Sequence, residues 1–273
     1  RVLVATVSVL LLLVPTSAQE TTEDLQPQKL LMTFIPNVQF ATMYVAIENG
    51  HFADAGYDVT LEYLNEPDVI DLVAADQEQF GIVSGEQVIL AASRGRPITF
   101  VYEWFQEYPV GVVVPAGSDI DAPEDLAGLQ VGVPGRFGAS YSGLTTLLQS
   151  AGLSESDIQL QEIGFAAPDV FCVGQVEAST IYINNEPLQI QNRAAQDDCG
   201  DVEAVEVIPV AEYVDLVSNG LITNRRMVNE NPEAVAAMVA AFDAGLRDTL
   251  NNPAEAYLIS ANYIENLPLP DEM

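Results

Sequence analysis

Basic residues are what this sequence has least of. Against 40 aspartates and glutamates it carries 9 lysines and arginines together, with Lys29 the sole lysine, and 1 histidine, His51, for a formal charge of −31. A chain so charged repels a phosphate backbone unless its cations gather in one patch, and these arginines are scattered. Nucleic acid is thereby excluded as a partner. The acidity reads as a strongly solvated surface, suited to saline surroundings; attraction of a cationic ligand stays open, because surface charge says little about a pocket. Cysteine is scarce too. Cys172 and Cys199 are the only 2, at a spacing that fits no metal motif, so neither a metal site nor another cofactor is expected.

Long apolar runs are nearly absent. The exception is Val2 to Val14, followed by Pro15-Thr16-Ser17-Ala18-Gln19. It is too short to span a bilayer comfortably, and it resembles the apolar region of a signal peptide with a small-residue cleavage site after Ala18. Arg1 reads as the remnant of a basic leader. Residues 1–18 are therefore expected to be a signal peptide and 19–28 a polar linker. With no cysteine beside the cleavage site, a lipid anchor is not expected, and the product is placed in the periplasm or outside the cell. In that compartment Cys172 and Cys199 are expected to pair as a disulfide.

What is present is an alternation of short elements. At 273 residues, 49% of them hydrophobic, the chain suits two lobes of about 100–150 residues each. Apolar segments at Lys29–Ile35, Asp58–Leu64, Phe80–Val83 and Ile98–Tyr102 read as strands, with helical patterns between them. A second series runs from Val110–Pro115 through Gln130–Val133 and Ile158–Ile163 to Ala178–Ile183. From Asn231 onward the texture is helical, with Pro232 at a first helical position and an apolar stripe of Val235, Met238, Val239, Phe242 and Leu246. The predicted fold is α/β, with two parallel-rich sheets flanked by helices and a ligand cleft between lobes. Lobe 1 is assigned to 29–112 and 209–273 and lobe 2 to 113–208, with crossings near Val110–Pro115 and Ile208–Tyr213.

Ligands of open α/β sheets bind beyond the carboxyl ends of the strands, so the segments that follow each strand carry the functional information. They hold Asn37, Gln39 and Phe40; Ser84 and Glu86; Trp104, Phe105 and Tyr108; Gly138, Ser140 and Tyr141; and Asn185 with Glu186. Aromatic rings that stack on a flat ring, beside amides and carboxylates that read its edge, describe a planar hydrogen-bonding ligand. Each piece has a plainer reading. Asn184-Asn185 before Glu186-Pro187 equally suits a helix cap, and Trp104 with Phe105 equally suits hinge packing. Gly135 and Gly138 bracket a helix start that can cradle an anion, but no nucleotide-binding glycine pattern surrounds them.

Several segments resemble periplasmic solute-binding proteins related to the thiamine-pyrimidine synthase group. They are Asn37-Val38-Gln39-Phe40, Tyr44-Val45-Ala46, Gly50-His51-Phe52, Trp104-Phe105-Gln106, Tyr108-Pro109-Val110, Gly164-Phe165, Gly174-Gln175-Val176-Glu177-Ala178, Asn184-Asn185-Glu186-Pro187 and Asn231-Pro232-Glu233-Ala234-Val235. That group includes binders of pyrimidine thiamine precursors, riboflavin and alkylsulfonates. The resemblance implies a two-lobed monomer that closes over a flat heteroaromatic ligand and delivers it to an ABC permease. It also implies that Asn37, Trp104, Tyr141 and Glu186 contact the ring. The chain stops at Met273, earlier than the family leads one to expect.

The same fold houses an enzyme, thiamine-pyrimidine synthase, which consumes a Schiff-base-bound pyridoxal cofactor and its own histidine. Gly81 to Val88 has neither lysine nor histidine, and Val207 to Val217 has no cysteine, so that chemistry lacks its nucleophile here. His51 is expected to be a surface or capping residue. A ligand-sensing module remains a further alternative. An alkylsulfonate is disfavoured, since Arg136 is the one cation near the expected cleft.

Overall fold

Strands and helices alternate along the chain in the computed structural model, which describes residues 25–265 and 267. The expected signal peptide lies outside the described residues. The first lobe begins with β1 (Gln26–Thr33), α1 (Ala41–Glu48), α2 (His51–Asp54), β2 (Tyr57–Leu64), α3 (Glu66–Ala74), β3 (Phe80–Ser84), α4 (Gly85–Ser93) and β4 (Ile98–Glu103). The second comprises β5 (Val110–Pro115), β6 (Gln130–Val133), α5 (Gly138–Ser150), β7 (Gln159–Glu162), α6 (Ala167–Cys172), β8 (Ala178–Tyr182), α7 (Glu186–Ala194) and β9 (Val205–Pro209). The chain then returns through β10 (Asn219–Asn224), α8 (Arg225–Glu230), α9 (Pro232–Asn251) and α10 (Pro253–Ser260).

The two five-stranded sheets have the orders β2-β1-β3-β10-β4 and β7-β6-β8-β5-β9. Each is mixed. In the first, β1 pairs in parallel with β2 and β3, while β10 runs antiparallel to β3 and β4. In the second, β6 pairs in parallel with β7 and β8, while β5 runs antiparallel to β8 and β9. The antiparallel strand of each sheet is the one entered directly from a crossing. Residues 104–109 carry the chain across, and 210–218 bring it back.

Central strands are apolar on both faces because helices cover both, and so β3 is buried at every position. Edge strand β2 keeps exposed Asp58 and Thr60 between buried Tyr57 and Val59, the alternation of a half-covered strand. Two boundaries differ from those expected. Val110–Val112 belong to the second sheet rather than the first lobe, since Val110 pairs with Tyr182 and Gly111 with Ile181. Residues 26–28 are strand, not linker, because Gln26, Pro27 and Gln28 pair with Tyr57, Asp58 and Val59. Their polar side chains hid a strand defined by backbone pairing.

The first lobe's core lies where α9 crosses α1. Met43, Tyr44 and Ala46 meet Met238, Ala241 and Phe242, all buried. Each large side chain so buried contributes about 1.5–3 kcal/mol. The crossing is close enough to require glycine: a Cβ at Gly245 would stand 2.5 Å from Ala46 Cβ and 2.6 Å from the Thr42 carbonyl. In the second lobe Cys172, at the end of α6, forms a disulfide with Cys199 in the turn after α7, as expected of an exported chain. His51 and Lys29 serve structure. His51 Nε2 lies 2.7 Å from Asp248 of α9, and Lys29 pairs with Glu62 at 2.8 Å and Glu78 at 3.3 Å.

Candidate ligand cleft

The cleft opens between the lobes at the carboxyl ends of β1, β6 and β8 and the start of the first crossing. The first lobe contributes Thr33, Phe34, Gln39, Phe40, Glu66, Trp104, Phe105 and Asn219; the second contributes Pro134, Phe137, Gly138, Ala139, Ser140, Gly164, Phe165, Ala167, Thr180, Tyr182 and Glu186. Of the residues expected from sequence, Gln39, Phe40, Trp104, Phe105, Gly138, Ser140 and Glu186 line it. Trp104 does two jobs, for it also packs edge-on against Phe242 at 5.9 Å and beside Phe105 at 4.4 Å.

Asn37, Ser84, Glu86, Tyr108, Tyr141 and Asn185 are not among the lining residues, and each has a local reason. Asn37 caps the turn before α1, its Oδ1 accepting from the Gln39 amide at 3.1 Å. The Tyr141 hydroxyl donates to Glu155 at 2.7 Å; one helical residue, about 100° of rotation, separates its direction from that of Ser140. Asn185 precedes α7 but makes no side-chain cap, and its Oδ1 accepts from Gln189 at 2.7 Å. Ser84, Glu86 and Tyr108 lie behind the cleft wall, in a polar network that continues from it.

That network centres on Glu66, the first residue of α3, which the sequence had not singled out. Its Oε1 accepts from the Ser84 amide and, at 2.5 Å, from the Ser84 hydroxyl. Its Oε2 accepts from the Ala139 amide in the first turn of α5 at 3.0 Å, which ties the two lobes together. The Ser84 hydroxyl also lies 2.7 Å from Glu86 Oε1, and the Tyr108 hydroxyl lies 3.1 Å from the same oxygen and 2.8 Å from the Ala139 carbonyl. One hydroxyl hydrogen cannot serve two carboxylates, so a proton on one of them completes the network. Glu66 receives two backbone N–H groups and is suited to the anion; Glu86 is suited to the proton. Burial, then the charge of Glu66, pushes Glu86 up to about 7. Burial also raises Glu66, against the bonds from Ser84 and Ala139.

Glu186 opens α7 from the opposite wall. Its Oε2 accepts from the Tyr182 amide at 2.9 Å, and burial pushes its carboxyl up to about 7 despite that bond. A signal for Glu66 was present in the sequence after all. Asn65-Glu66-Pro67 repeats Asn185-Glu186-Pro187. In both, the glutamate is the first helical residue, proline follows where the missing N–H costs nothing, and the carboxylate is buried in the cleft.

Further bridges hold the lobes together. Asn219 Nδ2 donates to the Tyr182 hydroxyl at 3.2 Å, and Gln87 Nε2 donates to the Ser142 hydroxyl at 2.7 Å. At the cleft, Phe34 meets Phe165 edge-on at 4.8 Å. Phe34 sits at a φ of 75°, a left-handed conformation that costs a non-glycine residue about 1–2 kcal/mol and persists where surroundings impose it. Among the described residues no cluster of histidine, cysteine or carboxylate side chains is arranged to hold a metal ion, and no helix is long and apolar enough to cross a membrane.

Two α/β lobes joined by two crossings and bonded across a shared cleft define a bilobal binding-protein fold. The periplasmic aliphatic sulphonate-binding protein SsuA of Escherichia coli superposes with a TM-score of 0.70 at 18% identity, covering 89% of this chain and 80% of that one. The chain belongs to the NMT1/THI5-like family, whose model matches residues 37–256. The riboflavin-binding protein RibY of Chloroflexus aurantiacus is 34% identical over 250 residues, 90% of this chain and 69% of its own length. The formylaminopyrimidine-binding protein of Halalkalibacterium halodurans is 31% identical over 262 residues, 94% of this chain and 77% of its own.

Proposed function

We propose that this protein is the extracytoplasmic solute-binding component of an ABC importer. In this reading it captures a flat heteroaromatic vitamin or precursor, riboflavin or a pyrimidine precursor of thiamine, as a monomer, by closing its lobes. The observation that carries the reading is the wall composition: Phe34, Phe40, Trp104 and Phe105 from one lobe face Phe137 and Phe165 from the other, with Glu186 among them. Rings on both walls suit a ligand with two flat faces, and a buried carboxylate suits an N–H donor on its edge. The two relatives named for a flavin and for a pyrimidine support the same class. The apolar leader before Ala18 supports export, and the lobe-to-lobe bonds support hinge closure.

An enzyme of the synthase kind is not favoured. No lysine or histidine lines the cleft among the described residues, and Lys29 is engaged on the sheet with Glu62 and Glu78. Isothermal titration of the folded full chain with riboflavin and with formylaminopyrimidine tests the reading. Saturable one-to-one binding of either is expected; absence of heat with both contradicts it.

A further inference from the structure

We propose that Glu66 sets the charge class of the ligand: by seating its own carboxylate on the first turn of α5, it makes the cleft accept neutral rings and reject their phosphorylated or sulfonated counterparts. The proposal rests on the flat-ring reading above and adds a rule of selection to it.

The amino end of a helix offers free N–H groups and a partial positive charge to any anion that reaches it. Here the first turn of α5 opens into the cleft through Gly138, Ala139 and Ser140. That position is already taken, since Ala139 N donates to Glu66 Oε2 at 3.0 Å. The backbone is shaped for the carboxylate as well. Gly138 has a φ of 67°, and a Cβ there would stand 2.4 Å from Glu66 Oε2, so only glycine permits the approach.

Nothing else in the cleft compensates an incoming anion. The charged side chains on its walls are two carboxylates, Glu66 and Glu186, and no lysine or arginine lines it among the described residues. Arg136, two residues before α5, turns outward to Glu155 at 2.8 Å and to Glu162. A phosphate or sulfonate group would therefore meet the Glu66 carboxylate at short range, with the Ala139 amide already engaged by it. A neutral ring meets no such cost.

Paired titrations test the rule: riboflavin against riboflavin 5′-phosphate, and hydroxymethylaminopyrimidine against its phosphate, with the wild-type chain and with Glu66→Gln and Glu66→Ala. The wild type is expected to prefer the neutral member by about 100-fold or more, and Glu66→Ala to shrink that preference about tenfold, with Glu66→Gln between them. Titration of 15N-labelled protein with inorganic phosphate gives a second readout. The Ala139 amide is expected to stay fixed in the wild type and to move in Glu66→Ala. Equal affinity of the wild type for both members of a pair, or full discrimination retained in folded Glu66→Ala with an unmoved Ala139 amide, overturns the proposal. If neither neutral ring binds the wild type, the flat-ring reading fails by itself, and the phosphate titration still decides the role of Glu66.

Discussion

At the scale of single residues, two buried carboxyls carry testable consequences. Glu186 accepts from Tyr182 and faces the cleft; replacing it with alanine leaves a ligand N–H unpaired and is expected to weaken binding by about 1–3 kcal/mol, measured by titration. Glu86 and Glu186 are both pushed up to about 7 from an ordinary 4.5. A raised carboxyl favours the neutral form in the folded protein. The stability this represents is complete below pH 4.5 and is lost as pH rises through about 7. Melting temperature is therefore expected to fall between pH 5 and pH 8, and Glu86→Gln to flatten that fall; thermal denaturation at several pH values checks it. The acidic surface adds a slope of the same sign, so the difference between variant and wild type is the informative quantity. Legibility at this scale is mixed. Glu186 stood out because a strand of apolar residues runs straight into it. Glu66 did not, because the preceding strand β2 is half exposed and the eye reads Asn-Glu-Pro there as an ordinary helix start. Tyr141 lies outside the cleft lining because α5 begins at Gly138 and turns successive side chains by about 100° per residue.

At the scale of elements, the strand and helix alternation was legible from apolar runs punctuated by glycine and proline, and the helical tail from its 3.6-residue stripe. Pairing direction was not legible. The antiparallel placement of β5 and β10 is a property of how two lobes exchange strands, and no local pattern encodes it. The polar start of β1 was missed for a similar reason: its pairing with β2 uses backbone groups alone. The disulfide was legible from compartment and count. It joins residues separated by 27 positions and closes a loop that contains β8 and α7, the helix that Glu186 opens. Replacing both cysteines with alanine is expected to cost about 2–4 kcal/mol, read as an earlier chemical-denaturation midpoint. Reduction of the wild type is expected to give the same shift.

At the scale of the whole molecule, the two lobes are linked by bonds that a hinge motion would break together: Glu66 to Ala139, Gln87 to Ser142, Asn219 to Tyr182, and the Phe34–Phe165 contact. Ligand rings placed between aromatic walls would add contacts to both lobes at once, and only such two-sided contact shifts an open–closed equilibrium. The net charge of −31 opposes bringing the lobes together at low salt, so ligand affinity is expected to rise with ionic strength, the reverse of a charge-steered partner. Titrations at 0.05 and 0.5 M salt check that. The central claim is that one ligand is gripped by both lobes, and small-angle scattering of the chain with and without saturating riboflavin or formylaminopyrimidine tests it most directly. A smaller radius of gyration with ligand, in a curve matching the bonded-lobe structure, is the predicted result; superimposable curves for free and saturated protein would contradict it.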